Sequence, residues 1–531
     1  MSAKFKVLVL DGVSARGVEV LSKVAEIEVI QSKSLSEDEL IARIGDVDGL
    51  VVRSQTKVTE KAIEAAKKLK VVGRAGVGVD NVNVNAATKK GIVVMNTPGG
   101  NTISTAEHAF SLMLSVARQI PQAHATMKAG KWDRKKFEGV EVFGKTLGVV
   151  GMGRIGTEFA RRAQAFGMKV LAYDPYLSAA KAQSLQVELY EKLNDMLPHC
   201  DFITLHIPMT PETKGLLNEK TLKLCKKGVR IINCARGGLV DEQDLLEALK
   251  SGQVAGAALD VYEQEPPPAE YPLRDEANLV MTPHLGASTA EAQENVGIEV
   301  AEAIRELLLH GTIVNAVNMP SVDAKTLEQQ RPYIELGDQL GRILAQLAPT
   351  RCESLTVNFT GKIAEMDTTA IRRSVLKGFI KQAIGPDVNE VNAPHFAQNL
   401  GLKFSETKMD EPGEYSEQIS VVVTAGKEKF EVAGTVFGNS TRLVSINGQS
   451  LEAKPEGVLF VMENTDRPGI VGFVGSILGK HQVNIASMSL SRASIGSKAL
   501  SVLNLDSMPS EAAISEIKQD SNITSIKLIQ L

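Results

Sequence analysis

Cysteine is nearly absent. Four occur in 531 residues (Cys200, Cys225, Cys234 and Cys352), with neither C-x-x-C spacing nor a disulfide-framework pattern, which argues against a stapled secreted fold. The eight histidines are scattered, so a structural metal has no ligand set and the chain is expected to be metal-free. No apolar run approaches the length of a membrane span, and Asp11 ends the first short one, Lys6–Leu10, before a signal-peptide core can form. Neither sign of charge dominates: 59 Lys and Arg against 63 Asp and Glu give −4, and no basic block invites nucleic acid. Low-complexity segments and short repeats are missing as well. What remains is an ordinary globular composition, 43% hydrophobic and 23% charged, in a chain too long for one core. Three or four domains in a cytoplasmic protein are the expectation.

What is present is a dinucleotide fingerprint in mid-chain. Gly151-Met152-Gly153-Arg154-Ile155-Gly156 closes the apolar run Leu147–Val150 and opens a helical stretch at Thr157–Phe166. A second strand, Lys169–Tyr173, then ends in Asp174, 18 residues past Gly156. The glycines permit a tight turn and close backbone approach to a pyrophosphate seated on the helix N-terminus, while Asp174 is placed for the adenosine ribose hydroxyls. Strand, turn, helix, strand and acid in this order point to a bound dinucleotide. Asp174 followed by Pro175 offers no cationic pocket for a 2′-phosphate, so NAD is expected rather than NADP.

Ahead of the fingerprint, short apolar runs (Val7–Leu10, Glu28–Ile30, Gly49–Val52, Val71–Arg74, Ile92–Met95) alternate with helical segments, the rhythm of a parallel sheet with crossovers. Thr97-Pro98-Gly99-Gly100-Asn101-Thr102 is loop punctuation, and Ser104 with Glu107 has the spacing of a capping box at the start of a helix. A second alternation runs from 146 to 283, then a helix at Glu291–Leu309. After Pro320 the texture changes: a strand near Ser354–Phe359, a helix at Thr368–Ala383, and alternating runs up to Ile446. Lys454-Pro455-Glu456-Gly457 reads as a linker, and 458–531 follows the β-α-β-β-α-β order of a ferredoxin-like unit.

Hydride transfer to a nicotinamide needs a base for the substrate hydroxyl, a group that tunes it, and a cation for an acidic substrate. In α/β sheets such residues gather at the carboxyl ends of strands. Arg236 follows Arg230–Cys234, Glu265 follows Leu259-Asp260-Val261-Tyr262, and His284 follows Met281-Thr282-Pro283. Each alone reads as an ordinary loop residue; their placement after successive strands makes them a candidate site. His206 also ends a strand, but without an acid and arginine around it, it reads as a cofactor-wall or core histidine.

These motifs resemble the D-2-hydroxyacid dehydrogenase family. The resemblance rests on Gly151–Gly156 with Asp174, Ala235-Arg236-Gly237-Gly238, Asp260-Val261-Tyr262-Glu263-Gln264-Glu265-Pro266 and Pro283-His284-Leu285-Gly286-Ala287, and it covers residues 1–320. Val52-Arg53-Ser54, Gly73-Arg74-Ala75-Gly76-Val77-Gly78-Val79-Asp80-Asn81, Asn96–Asn101 and the extension past 320 are similar to the long-chain branch, which oxidises 3-phosphoglycerate on the way to serine. The resemblance implies that His284 takes the C2 hydroxyl proton, Glu265 holds its ring, and Arg236 clamps the substrate carboxylate. It implies that Arg53, Ser54 and Asn101 receive the rest of the substrate, with Arg134 (after Trp132) arriving from a partner subunit of a homo-oligomer, dimer or tetramer. Pro208, Cys234, Ala235, Asp260 and Gly286 join Gly151, Gly153, Arg154, Ile155, Gly156 and Asp174 around NAD. Val77 and Ile207 depart from members with polar residues near the phosphates, and would give backbone contacts only.

The tail resembles the ACT domain, a small-molecule sensor. The resemblance implies that Asn464, Asp466 and Asn484 receive an effector, L-serine in the serine-sensing version. The implied fold is α/β: two Rossmann-like domains, the first discontinuous (1–98 with 286–320, around 99–285), then an α+β intervening domain (321–452) and a ferredoxin-like ACT domain (456–531). Two rivals stand: the same chemistry on another acid such as glycerate or 2-hydroxyglutarate, and an NAD-sensing corepressor like the C-terminal-binding proteins. The sensor-like tail argues against the second.

Overall fold

The computed structural model describes residues 4–320, 324–411, 413–492, 494 and 497–531; the starts of the expected outer segments, 1–3 and 321–323, lie outside them. Two parallel sheets form the first part of the chain. The first has five strands in the order Ile27–Gln31, Phe5–Val9, Gly49–Val52, Val71–Arg74, Val93–Met95. Strands Gly49–Val52, Val71–Arg74 and Val93–Met95 are almost wholly buried, as parallel strands covered on both faces must be. One cover comes from far along the chain. Helix Ala290–His310 lays Val296, Val300, Ile304 and Leu308 against Val7, Val51, Val71 and Val93. It crosses helix Ala15–Ser22 so closely that a Cβ on Gly17 would lie 2.4 Å from the Gly297 carbonyl oxygen.

The second sheet has seven parallel strands, ordered Glu188–Tyr190, Lys169–Tyr173, Thr146–Val150, Phe202–Leu205, Val229–Asn233, Val254–Leu259, Leu279–Met281. The order reverses between Thr146–Val150 and Phe202–Leu205, and ligands of such sheets bind at that switch point. Helix Thr102–Arg118 packs Ala109, Phe110, Leu112 and Met113 into this sheet's core. It begins earlier than the capping-box spacing suggested. Asn101 is the N-cap residue, and the Ser104 hydroxyl donates instead to the carbonyls of Asn101 (3.3 Å) and Gly286 (2.9 Å). The Gly286 carbonyl, available only in the fold, displaces the local cap.

Beyond Pro320, a six-stranded sheet has one parallel pair, Ser354–Gly361 with Lys403–Met409, and is otherwise antiparallel. Strand Ser354–Gly361 alternates half-buried and buried residues, with one face against helices Ala324–Leu347 and Thr369–Ile384. The first of these helices, with Pro332 inside it, has no counterpart in the sequence reading, because proline marks a helix end by default. The last sheet is antiparallel, ordered Ile485–Arg492, Lys498–Leu505, Val458–Thr465, Ile523–Gln530, with helices Ile470–Lys480 and Glu511–Ile517 on one face. Its other face, Leu459, Val461, Leu500, Val502 and Ile529, shares a single core with Leu336, Leu340 and Leu344 of the preceding domain. Among the described residues no helix is long and apolar enough to cross a membrane, and no cluster of His, Cys, Asp and Glu could hold a metal.

Candidate active site

The three fingerprint glycines meet three different demands. Gly151 lies in the left-handed region (φ 95°), and a Cβ there would stand 2.5 Å from the His206 carbonyl oxygen. A Cβ on Gly156 would stand 2.0 Å from the Gly151 carbonyl oxygen, so the helix can approach the strand only if residue 156 is glycine. Gly153 faces open space: nothing lies within 4 Å of its Cβ position. It precedes helix Arg154–Ala165, whose N-terminus has no side-chain cap, so its first N–H groups are open to an anion. Arg154 is exposed there and Ile155 half-buried. The Asp174 carboxylate accepts the N–H groups of Met152 and Tyr176, both at 2.8 Å, which fixes it beside the glycine turn with lone pairs to spare. These residues fit a dinucleotide.

On the far wall, Asn233 shapes the turn that carries Arg236. Its amide donates to the Arg236 carbonyl (2.8 Å) and its oxygen accepts the Ala235 N–H (3.1 Å). Cys234 is buried, and burial together with the Asp260 charge pushes its thiol far up, so it is no nucleophile. Pro208 is exposed on the loop after Phe202–Leu205. His206, the rival base, packs its ring on Phe159 and takes up Thr204 Oγ1 at 3.0 Å; burial pushes its pKa down to about 3. It stays neutral and inside.

His284 stands in the left-handed region (φ 57°), with Nδ1 2.7 Å from Glu265 Oε2. The carboxylate fixes the tautomer: Nδ1–H donates to it, leaving the Nε2 lone pair for a substrate. The hydrogen bond to Glu265 raises the imidazole pKa, against burial and with help from the Glu265 charge. For Glu265, burial opposes ionisation, but the bond to His284 and that residue's charge hold its carboxyl below the usual range. Tyr262 N–H donates to the other Glu265 oxygen (3.1 Å).

Arg236 reaches across from the second sheet to the first. Its Nε meets Asp80 Oδ2 at 3.1 Å, and Nη1 meets the Ala235 carbonyl at 2.6 Å. The Asp80 side chain is 71% exposed, so that ion pair is weak and is given up at little cost. Arg53 lies on a loop shaped by Asp11, which accepts the N–H groups of Arg53 (2.9 Å) and Thr56 (3.0 Å). Ser54 is exposed beside it. Asn101 is nearly buried at the hinge, and its Oδ1 has no hydrogen-bond partner. Arg74, to which the sequence reading gave no role, joins them. It is half-buried, its Nε has no partner, and burial followed by the Arg236 charge lowers its pKa to about 10, with Asp80 opposing and Arg53 adding to the repulsion. Arg74 thus feels the charges of both Arg236 and Arg53, a repulsion that a bound anion would relieve. The signal was available, since Arg74 ends a strand as the residues near Arg236 do. Arg134 is not brought to this cluster within one chain; it lies on the exposed turn Arg134–Lys136.

Asp260 is fully buried. Its Oδ1 accepts Thr282 Oγ1 (2.6 Å) and Leu285 N–H (2.8 Å), and its Oδ2 accepts Gly286 N–H (2.9 Å). There it holds the segment that carries His284.

The D-isomer specific 2-hydroxyacid dehydrogenase NAD-binding domain family matches residues 110–286, the D-3-phosphoglycerate dehydrogenase intervening domain 329–447, and the ACT domain 457–522. A D-3-phosphoglycerate dehydrogenase of Methanocaldococcus jannaschii is 43% identical over 526 residues, covering 99% of this chain and 100% of that protein. The chain belongs to the D-3-phosphoglycerate dehydrogenase family. A Bacillus subtilis enzyme of the same name is 42% identical over 99% of this chain and all of its own length. Among solved structures, a glyoxylate reductase from Paecilomyes thermophila superposes on 60% of this chain with a TM-score of 0.55 and 31% identity, covering 99% of that structure.

In the ACT domain, the three expected effector residues do not converge within one chain. Asn464 is buried at the end of Val458–Thr465, with its Oδ1 unpartnered. Asp466 pairs with Arg492, and Asn484 donates to Asp506 Oδ2 (2.8 Å). The intervening domain, in which the sequence reading found no motif, touches the first sheet's lobe through Asn389, whose amide donates to the Gly91 carbonyl at 2.8 Å.

Proposed function

We propose that His284, Glu265 and Arg236 carry the oxidation of D-3-phosphoglycerate at C2 to 3-phosphohydroxypyruvate, the first committed step of L-serine biosynthesis. The observation that supports this most is the 2.7 Å His284–Glu265 pair, with Arg236 near enough for its charge to act on the imidazole. Bound NAD supplies the hydride acceptor. The substrate carboxylate replaces Asp80 on Arg236, whose planar fork grips both oxygens. The C2 hydroxyl then faces His284 Nε2, which takes its proton as C2 gives up hydride. Glu265 stabilises the imidazolium so formed. Arg53, Arg74 and Asn101 receive the phosphate end, which suits the two guanidiniums. The lobe formed by 1–98 with 286–320 closes on 99–285 about hinges near Pro98 and Leu285, which excludes water before transfer.

His284→Ala should lower turnover by about 10²–10⁴-fold with little change in NAD affinity. Undiminished turnover in a coupled assay would remove His284 from its role.

We further read the protein as a homo-oligomer. Segment 120–143 exposes Ile120 (52%), Met127 (53%), Trp132 (79%) and Phe143 (75%), an apolar surface that a second copy would cover while delivering Arg134. L-serine is the proposed effector, bound where two ACT domains bring Asn464 and Asp466 to the other copy's Asn484. Calorimetric titration with L-serine, read beside activity, tests this; no heat and no inhibition would leave the tail an assembly element.

A further inference from the structure

His284 sits at the apex of a short arc, Thr282–Gly286, and Asp260 ties both ends of that arc. The carboxylate holds the Thr282 hydroxyl at one end and the Leu285 and Gly286 N–H groups at the other. His284 N–H closes the arc on the Thr282 carbonyl (3.0 Å), and the residue itself takes the left-handed conformation that such a tight span requires. A buried carboxylate keeps its place only if its lone pairs are satisfied. Among the described residues, one side chain from outside the arc does this. His108 Nε2 lies 3.1 Å from Asp260 Oδ1 and 3.2 Å from Thr282 Oγ1.

His108 belongs to helix Thr102–Arg118, the element that leaves the first hinge at Asn101. Two turns of that helix are fastened to the second hinge. Ser104 and Thr105 hydroxyls donate to the Gly286 carbonyl at 2.9 and 3.1 Å, and His108, one turn on, reaches Asp260. The two hinges are thus stitched into one unit, with the base at its tip.

We propose that His108 is a positioning residue for the reaction: through Asp260 it fixes the arc on which His284 stands and ties that arc to the hinge helix. The inference rests on His284 being the base. It needs Nε2 of His108 as a hydrogen-bond donor and no change in its charge. A glutamine amide nitrogen lies the same number of bonds from Cβ, so His108→Gln can donate from the same place, whereas His108→Leu cannot and His108→Asn falls one bond short.

The test compares these three variants of the full chain with the parent and with His284→Ala. Displacing a reacting group by an ångström costs about 10²-fold, so H108L should lose about tenfold to a hundredfold in kcat, with KM for NAD changed less than about threefold. H108Q should recover most of that kcat, and H108N little of it. Amide exchange at Leu285 and Gly286 should quicken in H108L and not in H108Q. If H108L fails to fold, H108N against H108Q carries the same contrast. A kcat for H108L within about twofold of the parent would overturn the inference, as would H108Q and H108N equally impaired in folded protein. If instead H284A keeps full turnover, the assignment of the base has failed, which is a different result from an inert His108.

Discussion

Gly78→Ala should disable substrate binding without harming the fold. A Cβ built on Gly78 lies 1.8 Å from Nη2 of Arg236 and 2.6 Å from Asp80 Oδ2. Its backbone is not in the left-handed region, so alanine is locally permitted. Ordinary contact begins at 3.4 Å. The guanidinium must therefore retreat by about 1.6 Å, since it is the flexible tip of a side chain and the Gly78 backbone is not. A misplacement of 1 Å in a positioning group costs about 10²-fold, so kcat/KM for 3-phosphoglycerate should fall by about that much or more. NAD binding, which uses the fingerprint turn, should not change. The thermal midpoint should hold or rise slightly, because alanine trims unfolded-state entropy by about 0.4–1 kcal/mol. Steady-state kinetics, NAD titration and thermal unfolding on one preparation give all three readings. A kcat/KM within about threefold of the parent, in folded protein, would refute the placement of Arg236 over Gly78.

Glu265→Gln removes the group that raises the His284 pKa, so the limb of the pH–rate profile along which activity rises should move to lower pH, with a smaller plateau. An unmoved limb would mean that Glu265 does not tune the base. Gly156→Val drives a Cβ into the Gly151 carbonyl and should abolish NAD binding; Gly153→Ala, facing open space, should keep its melting temperature and bind NAD about tenfold more weakly or worse. Calorimetry that finds the two alike would contradict the division of labour among the glycines. Arg74→Gln should raise KM for 3-phosphoglycerate more than for an unphosphorylated D-2-hydroxyacid, and equal effects would assign Arg74 to the fold instead.

What the sequence disclosed divides along a physical line. The Gly151–Gly156 turn and its strand–helix context are local, so spacing along the chain carries them. Arg236, Glu265 and His284 were legible because all three end strands of one sheet, and the topology rule for parallel sheets gathers such ends. The resemblance set Asp260 beside the cofactor; its partners at 282–286 lie 22–26 residues on, and pairing at that distance is settled only by folding. The helix start at Asn101 was misplaced because a local capping pattern lost Ser104 to the distant Gly286 carbonyl. Arg74 met the strand-end rule and went unassigned; only its burial beside two other guanidiniums gives it a role.

The outer face of the ACT sheet has a consequence for what kind of part the tail is. A sensor hung on a linker can be cut away and leave its neighbour intact. Here Leu459, Val461, Leu500, Val502 and Ile529 belong to the same buried core as Leu336, Leu340 and Leu344. Burying such side chains stabilises by roughly 1.5–3 kcal/mol each, so a chain ended at the 454–457 turn would present a greasy, unsealed face to water. The tail is a keystone of the intervening domain, with no slack joint between the two.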